Sequence, residues 1–342
     1  ISRFSGEGWD RDLQGHPMYE EGDFYLSHAE RAMVEKVKKF FSRIVVVLNV
    51  GGMVDTEWFC NDRAISSVLM AWQGGMEGGT AAAELLCGIG NPSGKLTETV
   101  AKRLEDYPST ENFHESDAYV DYTEDIYVGY RYYTTFGVGV AYPFGFGLSY
   151  TSYEYSDLTV KQNPDGTVSA WVTVTNTGSA AGREIIQLYV TKPETLQEQA
   201  ALELCGFAKT DMLAPGESQR VYVRVSVESL MTYDTAESRW MLDKGDYTMA
   251  VGASSADLKA KATVTVGEIT VEKSGSLNLG VEGIMAVGAI FGYLCGCYAN
   301  SLGVGILVAF IAGALCGLLF AVLTVSLQAN QNITGLTLTT FG

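Results

Sequence analysis

The charge along this chain is divided so unevenly that one compact fold does not account for it. The 66 residues from Leu277 to the C-terminus carry a single formally charged side chain, that of Glu282. The residues before them have the mixed charged and apolar composition of a water-exposed protein. We therefore expect two parts in different environments, an acidic globular part to about residue 270 and an apolar part after about residue 280.

The apolar part contains two charge-free stretches, residues 284–299 and 302–327. The second alone exceeds the roughly 20 residues that a helix needs to cross a bilayer. Small residues such as Gly313 and Gly317 are spaced as in helices that pack together in lipid. We expect residues 280–327 to associate with a lipid bilayer, and Lys273 before them favours a cytoplasmic globular part. The alternative, a hairpin buried in a soluble core, lacks a charged face to meet water.

The net charge of −17 argues against nucleic acid as a partner, because binding phosphates requires clustered Lys and Arg. The six cysteines show no spacing typical of disulfides or of a metal site. We expect all six to be reduced and buried, and we expect neither a metal nor a cofactor.

Residues 1–150 alternate strand and helix patterns. Ser27 and Glu30 form a capping box that opens a helix to about Phe40. The β-branched run 43–50 predicts a strand buried on both faces of a parallel sheet, residues 65–72 predict a second strand, and 77–86 predict a helix. This order indicates an α/β layer architecture. The glycine-rich turn 73–76 lacks the Lys-Ser/Thr ending of a phosphate-binding loop, so we do not favour a nucleotide site.

Residues 151–268 show a different pattern, with short runs of alternating apolar and polar residues separated by turns at 176–178, 214–216 and 244–246. This spacing predicts an antiparallel β-sandwich of about a hundred residues, with residues 269–279 as a linker to the apolar part. No nucleophile, base and orienting group gather in it. We interpret it as a packing module.

The segment Ser5-Gly6-Glu7-Gly8-Trp9 holds the best candidate for chemistry. Glycines on both sides of Glu7 permit a tight turn and close approach of a ligand to the backbone. Partial desolvation would raise the pKa of such a carboxyl, as a general acid requires near neutral pH, and the Trp9 ring offers a flat face for a sugar. Taken alone, the same residues also fit a solvated surface turn.

Several motifs, in this order along the chain, resemble glycoside hydrolase family 3, the β-glucosidase family. They are Ser5-Gly6-Glu7-Gly8 with Asp10-Arg11, Trp72-Gln73-Gly74-Gly75-Met76-Glu77-Gly78-Gly79, Asn91-Pro92-Ser93-Gly94-Lys95-Leu96, Tyr107-Pro108-Ser109-Thr110, Ile126-Tyr127-Val128-Gly129-Tyr130-Arg131-Tyr132 and Tyr142-Pro143-Phe144-Gly145-Phe146-Gly147-Leu148-Ser149-Tyr150. The resemblance extends over residues 1–268. It implies that residues 1–150 are most of the family's C-terminal α/β sandwich and that 151–268 are its fibronectin type III-like domain.

The same resemblance implies that Glu7 is the general acid/base of a retaining glycosidase acting on a β-linked glucoside or oligosaccharide, with Trp9 at the substrate. In that family the nucleophilic aspartate comes from a preceding β/α barrel, which these 342 residues do not contain. We therefore expect no turnover by this chain without a barrel. Since the chain starts with Ile and shows no signal-peptide pattern, we expect it to be part of a longer protein.

Residues 277–342 resemble a different family, the permease subunits of ATP-binding-cassette importers for sugars or nucleosides, through the segments 276–285 and 326–336. Three readings stay open: a glycosidase fragment, a transporter component and a non-catalytic carbohydrate-associated module. The junction near residues 273–275 fits either a membrane-tethered glycosidase or, as we favour, a join between neighbouring genes.

Overall fold

A computed structural model describes residues 1–3, 24–112, 116, 118–195, 197–266, 281–299 and 301–322. The chain divides into two compact units, residues 1–266 and residues 267–342, which are described separately. In the first unit the elements before residue 150 are β1 Ser2–Arg3, α1 His28–Phe40, β2 Ile44–Val50, α2 Glu57–Cys60, β3 Ile65–Met70, α3 Gly78–Leu86, β4 Val100–Ala101, a 3-10 helix at Leu104–Asp106, α4 Tyr130–Phe136 and β5 Val140–Tyr142.

Helix α1 begins where its capping box predicts. The Ser27 hydroxyl accepts from the Glu30 backbone N–H (3.3 Å), and the Glu30 carboxylate accepts from the Ser27 N–H (3.0 Å). Two of the helix's free amide groups are thereby satisfied. The predicted boundaries of α1, β2 and α3 agree with the structure to within one residue. Strand β3 ends at Met70, two residues early, and Trp72 beyond it has φ = 54°.

Strands β1, β2 and β3 form a parallel sheet in that spatial order. One face is buried, with Leu48 and Val50 of β2 fully covered and packed on Phe59 and Ile65. The prediction that β2 is buried on both faces is wrong, since Val45 is 50% exposed. Neither α1 nor α3 has a fully buried residue.

The rest of the first unit consists of strands β6 Tyr153–Gln162, β7 Val168–Asn176, β8 Ile185–Thr191, β9 Glu203–Lys209, β10 Ser218–Val225, β11 Thr232–Asp234, β12 Arg239–Met241, β13 Gly245–Ser254 and β14 Asp257–Val266, with a 3-10 helix at Glu228–Leu230. They form the predicted antiparallel β-sandwich. A three-stranded sheet β10-β7-β6 faces a four-stranded sheet β14-β13-β8-β9, and β11 pairs with β12 as a separate hairpin. Apolar side chains from both sheets share one core cluster, which includes Val172, Leu188, Val223 and Met249.

The sandwich is joined to the α/β part by buried polar contacts. Lys95 forms an ion pair with Glu184 at 2.9 Å, and the two side chains are only 11% and 8% exposed. The Gln187 amide donates to the carbonyls of Gly145 (2.9 Å) and Ala253 (2.8 Å). A side chain at position 145 would overlap the Gln187 amide. The φ of Gly145, 78°, also favours glycine. These contacts make residues 91–150 and the sandwich one packed body.

The second unit contains helices α5 Val281–Ala299 and α6 Leu302–Ala321. They approach closely through small residues. A methyl group built on Gly292 would lie 2.7 Å from the Ala309 Cβ and 2.9 Å from the Gly305 carbonyl oxygen. Within α6, Leu302–Leu319 has a mean hydropathy of 2.5 and is long enough to cross a bilayer, by length and composition, whereas the apolar stretch of α5, Ile284–Ala299, is shorter. The linker predicted at 269–279 lies outside the described residues.

The six cysteines are free thiols, but the expectation that all are buried is wrong. Cys205 is buried in the sandwich core, while Cys60, Cys87 and Cys297 are exposed. Cys60 ends the short helix α2, and Cys87 caps the C-terminus of α3. Both therefore lie where a helix ends at the surface of the unit.

Candidate active site

The carboxyl ends of β1, β2 and β3 meet at one edge of the parallel sheet. Ligands of open α/β sheets bind at such an edge. Strand β1 ends at Arg3, only four residues before Glu7. Glu7 and Trp9, the two residues predicted to act on a substrate, lie outside the described residues, so their roles remain predictions. The structure does describe the residues on either side of the segment 4–23, which carries them, and how those residues are attached.

Arg3 attaches the start of this segment. Its guanidinium binds the Glu30 carboxylate through two contacts, Nη1–Oε1 at 2.7 Å and Nη2–Oε2 at 2.5 Å. It also donates to the carbonyls of Ser2 (2.8 Å) and Tyr25 (3.3 Å). The Arg3 and Glu30 side chains are 7% and 22% exposed. A two-point arginine–carboxylate pair of this kind is directional as well as strong.

The far end of the segment is held as well. Phe24 and Leu26 are each 5% exposed, and the Phe24 carbonyl accepts from the Asp55 N–H at 2.9 Å. The Tyr25 carbonyl is a partner of Arg3. Residues 3 and 24–26 therefore lie side by side, and both points where the segment 4–23 leaves the described structure are fixed to the sheet and to α1. We call this set, Arg3, Tyr25, Ser27 and Glu30, the loop clamp.

The electrostatics of the loop clamp favour the ionised carboxylate. The hydrogen bond from Arg3 is the largest cause that lowers the pKa of Glu30 from 4.5 to about 2; burial opposes it, and hydrogen bonds from Ser27 and the charge of Arg3 add to it. Glu30 is therefore a permanent anion at neutral pH and cannot serve as a proton donor there. Its function is to bind Arg3 and to cap α1.

The ends of β2 and β3 bring two further residues to the same edge. Asp55 follows β2, and burial is the main cause of its raised pKa, although its Oδ1 accepts from the Glu57 N–H at 2.9 Å. Trp72 follows β3 in a left-handed conformation (φ = 54°) that non-glycine residues rarely adopt. The glycines after Trp72 allow the chain to fold back, because a methyl group on Gly74 would lie 2.8 Å from the Gly78 Cα.

Sequence reasoning did not place Arg3, Asp55 or Trp72 at this edge, although Trp72 begins one of the motifs quoted above. Arg3 precedes Ser5–Gly8 but gives no local signal of a partner 27 residues away. Among the described residues, no group of three or more His, Cys, Asp or Glu is placed to hold a metal ion. What the described residues show at this edge is that residues 3 and 24–26, on either side of the segment 4–23, are firmly attached.

Comparison with known families agrees with the two-part organisation of the first unit. Residues 1–150 match the model of the glycosyl hydrolase family 3 C-terminal domain, and residues 184–255 match that of the fibronectin type III-like domain. Residues 262–342 match a model described as the permease component of a branched-chain amino acid transport system.

Two curated relatives and one solved structure illustrate the similarity. The chain is 49% identical to β-glucosidase A of Butyrivibrio fibrisolvens over 296 residues, which are 76% of this chain and 36% of that protein. It is 40% identical to a β-glucosidase of Ruminococcus albus, covering 74% of this chain and 26% of that one. β-Glucosidase 3B of Thermotoga neapolitana, solved with α-D-glucose, superposes with a TM-score of 0.72 at 40% identity, over 78% of this chain and 37% of that one. The chain thus spans between 26% and 37% of the length of these relatives.

Proposed function

We infer, from the match of residues 1–150 to the model of the glycosyl hydrolase family 3 C-terminal domain, that this chain supplies the general acid/base side of a retaining β-glucosidase site. Glu7 is the proposed acid/base, and Trp9 is proposed to stack on the sugar. The observation that carries the proposal is the loop clamp. Together with the contact of Phe24 to Asp55, it fixes residues 3 and 24–26, between which Glu7 lies in the sequence, at the edge formed by the carboxyl ends of the strands.

The proposed chemistry follows from what a retaining mechanism requires. Two carboxyl groups about 5–5.5 Å apart flank the glycosidic bond. Protonated Glu7 donates its proton to the leaving oxygen as the nucleophile attacks the anomeric carbon. Ionised Glu7 then takes a proton from the water that releases the sugar. A carboxyl in this role needs a raised pKa, the opposite of what the loop clamp gives Glu30.

In this proposal the nucleophile does not come from the residues of this chain. The resemblance assigns it to a barrel domain, and the chain spans 36% of its Butyrivibrio relative. A barrel domain is therefore the proposed partner, with a β-linked glucoside or oligosaccharide as the substrate. Without the barrel, the expected activity of the chain is nil.

The test compares the rates of hydrolysis of two substrates whose leaving groups differ in their need for a proton. The chain is assayed with p-nitrophenyl and 2,4-dinitrophenyl β-glucosides, alone and with a purified family 3 barrel domain. In the complemented sample, Glu7→Gln should lower kcat/KM for the nitrophenyl substrate by about 10²–10⁴-fold. The loss should be much smaller for the dinitrophenyl substrate, because that phenolate leaves without a proton.

Glu21→Gln, which alters another carboxylate of the same segment, serves as the control and should leave both rates unchanged. Turnover by the chain alone that survives Glu7→Gln would contradict the proposal. Complementation that never restores activity would favour a non-catalytic carbohydrate-associated module.

We propose in addition that α6 anchors the chain in a membrane, with the globular part on the cytoplasmic side. The support is the 18-residue window Leu302–Leu319, only 6% of which is buried, together with the permease match. The chain should stay in the membrane pellet after carbonate extraction, and Ile311→Lys should release it. A wild-type chain found wholly in the supernatant would refute the anchor. Co-purification with a nucleotide-hydrolysing subunit would support the transporter reading instead.

A further inference from the structure

The three-stranded sheet of the β-sandwich has one face in the core and one face in solvent. On the core side Val168, Ala170 and Val172 of β7 are at most 3% exposed, and Val221 and Val223 of β10 are 5% exposed. Side chains alternate along a strand, so the residues between them point outward. The outer face can therefore be read directly from the strand register.

An aromatic pair occupies the middle of this outer face. Trp171 of β7 and Tyr222 of β10 are direct cross-strand partners, and Thr159 of β6 lies on the other side of Trp171. The two rings are 5.4 Å apart between centroids and inclined by 39°, so they form a tilted but continuous apolar strip. Tyr222 is 47% exposed. Its hydroxyl is 3.1 Å from the Ser169 hydroxyl, and this contact restrains the orientation of the Tyr222 ring.

Polar side chains surround the aromatic pair in the neighbouring rows. Arg220, Thr173 and Ser156 form the next row across the three strands. The Arg220 guanidinium carbon lies 6.0 Å from the Trp171 ring centre, at the outer limit of a cation–π contact. Arg220 is exposed, and among the described residues it forms no ion pair, so its N–H groups can donate to a ligand at the edge of the strip.

This arrangement matches the chemistry of a β-linked glucan. A glucosyl ring with equatorial hydroxyls presents C–H groups on both faces and hydroxyls around its rim. Aromatic side chains bury such faces, while guanidinium and hydroxyl groups bond to the rim. An open sheet face suits an extended chain better than a pocket does. The pair also contributes to sheet stability as a cross-strand contact, which is why the test below separates binding from stability.

We propose that the outer face of β10-β7-β6 is a secondary binding surface for a neutral β-glucan chain. Trp171 and Tyr222 stack on its sugar rings, and Arg220 and Thr173 bond to its hydroxyls. The choice of ligand rests on the proposed glycosidase function, but the surface uses neither Glu7 nor the loop clamp. Binding and catalysis can therefore fail independently.

The test is affinity electrophoresis of the full chain, in mild detergent, through gels containing soluble mixed-linkage β-glucan, followed by fluorescence titration with cellopentaose. The wild type and Glu7→Gln should be retarded equally. Trp171→Ala and Tyr222→Ala should each weaken binding at least tenfold. Unchanged circular dichroism and melting temperature for Tyr222→Ala, whose ring is half exposed, would separate this loss from unfolding.

The chain offers a matched control in a second exposed pair. Tyr233 and Trp240 on the β11–β12 hairpin have the same 5.4 Å ring separation and are 44% and 63% exposed. They lie on a two-stranded hairpin, not on the sheet face. Trp240→Ala should leave the retardation unchanged. The proposal is overturned if the wild type is not retarded, or if Trp240→Ala and Trp171→Ala lose binding equally. It is also overturned if only an acidic polysaccharide binds and Arg220→Ala alone abolishes that binding.

Discussion

Replacing Glu30 by Gln removes the charge of the loop clamp while keeping most of its shape. Glutamine can still accept from the Ser27 N–H, but it cannot neutralise the Arg3 guanidinium, which is only 7% exposed. A pKa lowered from 4.5 to about 2 corresponds to at most about 3 kcal/mol. Because 22% of the Glu30 side chain stays in solvent, screening reduces this figure, and we expect a loss of about 2 kcal/mol at pH 7.

The pH dependence gives the sharper test. A carboxyl whose pKa is lowered by folding binds fewer protons in the folded chain than in the unfolded chain. Its contribution is complete above pH 4.5 and is lost as the pH falls towards 2. The difference between wild type and Glu30→Gln should therefore be constant from pH 7 to pH 5 and should shrink by about half near pH 3.5.

The assay is urea unfolding followed by tryptophan fluorescence at pH 7, 5 and 3.5. Glu35→Gln on the same helix is the control, since Glu35 is 61% exposed and pairs with Lys38 across one turn at 2.9 Å. That variant should cost less than about 0.5 kcal/mol. The assignment of a strong, ionised clamp would be refuted if Glu30→Gln lowers the free energy of unfolding as little as the control variant does. It would also be refuted if the loss for Glu30→Gln does not change between pH 7 and pH 3.5.

Two other predictions concern packing. Lys95→Met should destabilise the first unit by about 3–5 kcal/mol, because Glu184 would be left charged and 8% exposed. The exposed-pair control Arg224→Met should cost less than about 1 kcal/mol in the same urea assay. Gly292→Leu should separate α5 from α6, as seen by a longer distance between nitroxide labels in pulsed EPR, whereas Gly317→Leu, with open space around it, should not. Equal distances in both variants would contradict the packing described here.

Local patterns in the sequence predicted much of the fold. The capping box at Ser27 and Glu30 located α1, because both partners lie within one turn and the motif satisfies groups that any helix leaves free. Alternating apolar residues predicted the β-sandwich, and the uncharged run predicted α6. In each case the pattern repeats over neighbouring residues, so no knowledge of distant contacts is needed.

The sequence by itself thus determined α1, β2, β3 and α3, the β-sandwich and two apolar stretches, and it identified the glycine-flanked Glu7 as a candidate. Only the tertiary structure decided that Arg3 meets Glu30, that Lys95 is buried against Glu184, that β2 is covered on one face, and that Trp171 lies beside Tyr222. These partners are separated by tens of residues along the chain. Their meeting depends on strand order, register and solvent exclusion, which appear only once the sheets have formed.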